Sequence, residues 1–194
     1  MIQSKEDYLY YLECDKIALR KTTKRPRYLH DIIWTFERLL RKCEYYENCR
    51  HDLIGRLYGK YLKYKYVKLS HKLGFSIAFN VIGPGLCIEH YGMVIIGGQC
   101  GKNFRVIGGT VVGVTGDNMK PIVGDNVFLG FGSAVIGNVH IADGVAVGAN
   151  SVVCKDIPTP NVSVGGIPAK ILSQKGSEAY LVKATDIVDK YWKR

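Results

Sequence analysis

Between Ile82 and Val153 the apolar positions recur at every sixth residue. They are Ile82, Ile88, Val94, Cys100, Val106 and Val112, then, after a longer interval, Val123, Leu129, Val135, Ile141, Val147 and Val153. A period of six matches neither the 3.6-residue turn of a helix nor the alternation of a single half-buried strand. It matches a short strand that sends one side chain inward and then turns a corner, where glycine tolerates backbone angles closed to other residues. Glycine follows the anchor at Gly83, Gly101, Gly113, Gly124, Gly130 and Gly148. The position four beyond the anchor is small or apolar at Gly92, Gly98, Thr110, Val127, Ser133, Val139, Val145 and Ser151. Three hexads close one triangular coil, so these anchors predict about four coils stacked at about 4.8 Å. The fold class expected is mainly β, a parallel β-helix in the form of a triangular prism. Two unbroken six-residue registers argue against a β-sandwich, which needs alternating strands.

Ten residues separate Val112 from Val123 where five are expected. The surplus is predicted to leave the prism as an exposed loop at 113–122, and loops on rigid scaffolds tend to carry function. Pro158 and Pro160 close the repeat, after which the segment from Val164 to Lys170 is expected to cross back. Helical patterns flank the prism. One covers residues 4–21, with Ser4 as cap, and ends before Lys24-Arg25-Pro26-Arg27. A second runs from Leu29 to Tyr46, with Ile32, Ile33, Phe36, Leu39 and Leu40 on one stripe, and a third from Leu53 to Leu73. A last helix, Ser177 to Tyr191, presents Leu181, Ala184, Ile187 and Val188 and is expected to cap the prism's end. The division is therefore an α-helical segment at 1–74, the prism at 75–172 and a C-terminal helix at 173–194.

Charge is uneven along the 194 residues. Lys and Arg number 27 against 17 Asp and Glu, and residues 1–72 alone carry a net +8. The third helix interleaves Leu57, Tyr61, Tyr64 and Val67 with Arg56, Lys60, Lys63, Lys65 and Lys68. The favoured expectation is that its tyrosines pack on neighbouring helices and leave the lysines in water. Peripheral contact with an anionic membrane surface is the alternative, and no nucleic-acid partner is expected. No apolar run reaches the ~18 residues of a membrane span, and Met1 to Lys5 lacks the apolar core of a signal peptide. A cytoplasmic protein is expected, with the inner face of the membrane as a further place. Six scattered cysteines, Cys14, Cys43, Cys49, Cys87, Cys100 and Cys154, lack a CxxC pair or metal-ligand spacing and read as reduced thiols.

Candidate bases within the prism are few. His140 precedes anchor Ile141 and is expected on an outer face. His90 lies two places beyond anchor Ile88, at a corner, with Glu89 before it and small Gly92 beside it. A partnered imidazole there can take a proton from a hydroxyl. Metal-dependent hydration on such a prism needs three converging histidines, and the repeat holds only His90 and His140. No metal is expected.

The hexads, the segment Ile88-Glu89-His90-Tyr91-Gly92, the loop after Val112 and Gly166-Ile167-Pro168-Ala169-Lys170 together resemble the hexapeptide-repeat acyltransferases, in particular the serine acetyltransferase branch. The resemblance covers residues 75–172. It implies a left-handed coil, a homotrimer with active sites between neighbouring prisms, and acetyl-CoA as co-substrate of an O-acetyl transfer. His90 then matches the general base and Glu89 its acidic neighbour. Gly113 and Thr115 match loop residues beside the thioester. Gly130, Gly148 and Ala149 match the small residues along the pantetheine arm, and Ile167, Pro168, Ala169 and Lys170 the coenzyme-binding end, where a cation meets phosphate.

The departures bear on the acceptor. Serine acetyltransferases carry an Arg-His pair in the loop that grips the amino-acid carboxylate, and those places here hold Asn118 and Met119. Lys120 would have to supply a cation alone. The acid that orients the base is also lacking from Gly74 to Phe79, and the helical segment is short. The chain is similar in these respects to related enzymes that O-acetylate sugars of capsular and other surface polysaccharides, with Tyr91, Asp117, Asn118 and Met119 as acceptor-binding residues. Serine O-acetylation is the alternative, and a non-catalytic hexapeptide scaffold a further one. The ending Tyr191 to Arg194 lacks the terminal Ile through which serine acetyltransferases join a partner enzyme, so no such complex is expected.

Overall fold

The computed structural model describes residues 1–27, 29–113 and 119–192. The hexads build three parallel sheets, each one face of a triangular prism. Face I stacks Phe75–Ile77, Val94–Ile96, Thr110–Gly113, Ala134–Ile136 and Val152–Val153. Face II stacks Gln99–Cys100, Ile122–Val123 and His140–Ile141. Face III stacks Cys87–Ile88, Arg105–Val106, Phe128–Leu129, Ala146–Val147 and Ser163–Gly166. All twelve anchors point inward, and none is more than 5% exposed. The prism is thus five strands tall on two faces, one layer more than the anchors alone imply, because Phe75–Ile77 and Ser163–Gly166 add rungs outside the six-residue register.

Registry locates the interruption of the repeat. Cys87 pairs with Arg105, one coil of 18 residues on, whereas Cys100 pairs with Val123 and Val112 with Val135, 23 residues on. The five surplus residues therefore fall at the corner after Gly113. Left-handed corner positions are held by Gly85, Asn103, Asn126, Gly144 and Asn161 between faces II and III. Asn tolerates this conformation and its side chain bonds locally, as between Asn103 Nδ2 and Asn126 Oδ1 at 2.8 Å.

Three helices close the prism's N-terminal end: α1 (Lys5–Ala18), α2 (Ile32–Cys49) and α3 (Leu53–Leu73). Ser4 caps α1, its Oγ accepting the Asp7 N–H at 3.0 Å. The second helix starts three residues later than the stripe implies. Leu29 adopts φ +66, outside the helical region, and Asp31 takes the N-cap place. The open edge of the first coil would leave unpaired backbone groups, and buried side chains meet them. Asp15 Oδ1 accepts from Gly85 and Leu86 N–H, and Glu37 Oε1 accepts from Ile88 N–H at 2.9 Å. Arg41 donates to the Ile82 and Gly83 carbonyls while its guanidinium pairs with Asp15 and Glu44.

The C-terminal expectation needs correction. Residues 177–191 are not one helix and do not cap the prism's far end. A 3-10 turn (Glu178–Tyr180) and the short α4 (Ala184–Val188) lie on a segment that runs back down the corner between faces II and III. Ser177 N–H bonds to Gly144 O, Tyr180 stacks on Phe128, and Thr185 exchanges hydrogen bonds with Asn103. Val188 and Trp192 then pack with Ile2, Tyr10, Tyr11 and Cys14 of the N-terminal segment. The tail ties the two ends of the chain together.

A second correction concerns α3. Its buried positions are Gly55, Leu62, Tyr66, Ser70 and Leu73, a narrow stripe on α2 and the first coil. Tyr66, outside the expected stripe, is the tyrosine that packs, its hydroxyl donating to Ile77 O at 2.6 Å, whereas Leu57, Tyr61, Tyr64 and Val67 remain exposed. The cysteines form no disulfide, and burial pushes the thiols of Cys14, Cys43 and Cys87 up to about 12.

Candidate active site

Each coil runs from face II to face III to face I, so residues directly after a face III strand share one edge of the prism. Glu89, His90 and Tyr91 follow Cys87–Ile88 there. Gly130 follows Phe128–Leu129, Gly148 and Ala149 follow Ala146–Val147, and Ile167 and Pro168 form the turn after Ser163–Gly166. Ala169–Ser173 returns as an antiparallel strand, carrying exposed Lys170. His90 and these positions thus stand in one column, with the hairpin four coils above the histidine, about 19 Å at ~4.8 Å per coil. Nothing in the spacing of six alone says which corner each glycine occupies.

Two of the glycines differ in what they accommodate. A Cβ on Gly130 would stand 2.8 Å from Ala149 N and 2.9 Å from Val147 O, so glycine is required for the backbone itself. A Cβ on Gly148 would meet nothing nearer than Val164 O at 3.4 Å, an ordinary contact. Gly148 and Ala149 are exposed along the edge.

His90 and Tyr91 are exposed, Tyr91 at 73%. The Glu89 carboxylate does not partner the imidazole. It pairs with the guanidinium of Arg105, which also donates to Tyr180 O of the returning tail. Among the described residues none hydrogen-bonds the His90 ring. Arg105 went unnoticed in the sequence, although counting one coil on from Cys87 places it directly over that residue and next to Glu89.

Beside His90 a hollow of about 300 Å³ opens between the prism edge and the turn joining α1 to α2, lined among others by Arg20, Lys21, His30, Trp34, Tyr91 and Arg105. Arg20 holds φ +55 at the end of α1, where Lys21 N–H reaches back to Lys16 O at 3.0 Å. That left-handed place usually takes Gly. Lys21 and Arg27 both pair with buried Asp31 and hold its carboxyl well below the usual range. Trp34 is 1% exposed, and its indole N–H lacks a partner among the described residues.

The strand that leads into the loop ends away from this edge. Gly113 ends its strand at the opposite side of face I, about 10 Å along the strand from Thr110. Met119 is 47% exposed just beyond the loop. Thr115, Asp117 and Asn118 lie outside the described residues. His140 is exposed on face II, as its place before an anchor implies. No group of three or more His, Cys, Asp or Glu side chains among the described residues is arranged to hold a metal ion.

No family model matches the chain. A serine acetyltransferase of Staphylococcus epidermidis is 40% identical over 100 residues, which make up 49% of this chain and 46% of that protein. The chain thus spans about half the length of the relatives it matches. Among solved structures, a serine acetyltransferase in complex with cysteine superposes with a TM-score of 0.66 at 22% identity, covering 98% of this chain and 74% of the other. The serine acetyltransferase of Brucella abortus in complex with coenzyme A gives 0.64 at 20% identity, covering 89% and 70%. The chain shares the left-handed β-helix fold of these proteins, and about half of it is related to serine acetyltransferases in sequence.

Proposed function

We propose that the chain is an acetyl-CoA-dependent O-acetyltransferase that acetylates a sugar hydroxyl of a surface or capsular polysaccharide or its precursor, with His90 as general base. The observation that carries the chemistry is the single edge on which His90, the exposed small residues Gly148 and Ala149, and the Ile167–Lys170 hairpin stand in column. Coenzyme A bound along that edge, with its phosphates toward Lys170 and its thioester toward His90, would meet an acceptor held beside the histidine. Coenzyme A in the Brucella abortus protein of the same fold supports this choice of co-substrate.

The step balances simply. His90 takes the proton of the acceptor hydroxyl as its oxygen attacks the thioester carbonyl. The tetrahedral intermediate collapses with cleavage of the carbon–sulfur bond, and the departing thiolate receives a proton. A correctly placed base contributes about 10²–10⁴-fold to such a step.

The acceptor argument rests on the hollow and on the loop. Tyr91 provides aromatic surface and Arg20 a cation without an ion-pair partner among the described residues, in a hollow of about 300 Å³. Met119 stands where serine enzymes bring a histidine. Because His90 and Gly113, where the strand before the loop ends, lie at opposite edges of face I, a site between neighbouring copies of a homotrimer is the arrangement we propose. An acceptor carried on a membrane lipid would bring the chain to a bilayer surface.

Serine O-acetylation is the second reading, favoured by the names of the relatives at 40% identity. Thiol release from acetyl-CoA separates the two, with L-serine in one well and sugars and nucleotide sugars in others. Release with a sugar alone supports the proposal. Release with L-serine alone overturns the acceptor assignment, and hydrolysis of acetyl-CoA unaffected by any acceptor overturns the transfer.

A further inference from the structure

The outer side of α3 is an unpartnered face with a definite chemistry. Leu53, Ile54, Leu57, Tyr61, Tyr64 and Val67 are each between 48% and 76% exposed. At 100° per residue Leu53, Leu57, Tyr61 and Tyr64 fall within about 80° of one another, opposite the buried stripe. Arg56 and Lys63 flank this arc on one side and Lys65 and Lys72 on the other, with Lys60 at its margin and Lys68 within it. From Leu53 to Leu73 there is no Asp or Glu. Only Lys63 forms an ion pair among the described residues, with Glu47 at 3.1 Å. An exposed apolar arc flanked and interspersed by long cationic side chains is the arrangement by which a helix lies in the headgroup region of an anionic bilayer, apolar groups down and ammonium groups reaching outward.

We propose that α3 is a membrane-docking surface and that its partner is a bilayer containing anionic lipid. Charge complementarity selects this occupant. A second copy of the chain would set these cations against the same set with no carboxylate on either helix, and like charges in contact repel. A nucleic acid would use the cations and leave Leu53, Ile54, Leu57 and Val67 in water, since backbone recognition is electrostatic. Only a surface that is both anionic and apolar a few ångströms down uses every exposed group. No helix among the described residues is long and apolar enough to cross a membrane, so the contact is peripheral. It also orients the molecule: α3 packs beside the first coil, and the prism and its coenzyme edge extend away from it.

The test is co-sedimentation of the full chain with large vesicles of phosphatidylcholine, with and without phosphatidylglycerol. Sedimentation with phosphatidylglycerol only, weakening as salt screens the charges, is expected. Replacing both Leu57 and Tyr64 by Ser should abolish it. Lys60→Gln and Lys68→Gln should each lower the partition coefficient about fivefold, the equivalent of about 1 kcal/mol per basic residue. All four residues are exposed, so the variants keep the parent's melting temperature and its transfer rate toward a soluble acceptor. A protein that stays in the supernatant with phosphatidylglycerol, or variants that sediment like the parent, would overturn the proposal. So would a lower mass for Leu57→Ser/Tyr64→Ser by light scattering, which would assign the ridge to contact between copies, or binding of duplex DNA without binding of vesicles.

Discussion

The carboxylate of Glu37 on α2 accepts the backbone N–H of Ile88 at 2.9 Å, two residues before His90. Glu37 is wholly buried, and its other oxygen has no partner among the described residues. Burial and the nearby Asp15 charge push its carboxyl well above the usual range. The helical segment thus holds the backbone two residues before His90 through a buried acid.

Glu37→Gln keeps the acceptor for Ile88 N–H and removes the titration. A raised carboxyl pKa means the folded chain retains a proton that the unfolded chain releases, so stability falls as pH rises above the ordinary value of 4.5. The fall ends once pH passes the folded pKa. The variant should therefore melt at a higher temperature than the parent at neutral pH and equally below about pH 4. Thermal melts across that range read this directly, and a variant less stable at neutral pH contradicts it.

Arg41→Ala leaves Asp15 and Glu44 buried without their shared cation and strips two carbonyls of the first coil. Loss of one partner in a buried ion network costs about 3–5 kcal/mol. The melting temperature of a chain this size should drop by the order of 10 °C, measurable by calorimetry.

His90→Ala should lower kcat by about 10²–10⁴-fold with little change in stability, since the side chain is exposed. Glu89→Gln tests a different link. Its carboxylate holds Arg105 and, through it, the tail at Tyr180. Under tenfold loss of kcat is expected, with earlier proteolysis of the tail. Equal losses in the two variants would return Glu89 to the role of partner to the base.

The two edge glycines should part company. Gly130→Ala drives a methyl into the Ala149 backbone and should cost about 1–3 kcal/mol. Gly148→Ala fits the fold but adds a methyl to the exposed edge proposed for the coenzyme, so the melting temperature should hold while KM for acetyl-CoA rises. Steady-state kinetics with varied acetyl-CoA tests the second half.

The prism was legible residue by residue. Each coil needs an inward side chain at a fixed interval, and a corner between, so a local period of six names Leu129 or Val147 as core without any knowledge of what lies across from it. The loop's surplus of five follows from the same count, and the bounds of α3 from its cap and its Gly74 stop. The resemblance at His90 and at the hairpin also came from contiguous residues. Contacts between distant segments were not legible. Asp15, Glu37, Arg41 and Glu44 look like ordinary helix-surface charges, and only their seating on the open coil buries them. Thr185 meets Asn103 across 82 positions, which turns the expected end cap into a strap along the side. Glu89 finds Arg105 rather than His90 because coil stacking places the guanidinium beside it, and Tyr61 and Tyr64 stay in water because the buried side of α3 is only one narrow stripe wide. A repeating pattern determines which way a side chain faces. Which charge it meets there depends on what the folded chain brings alongside.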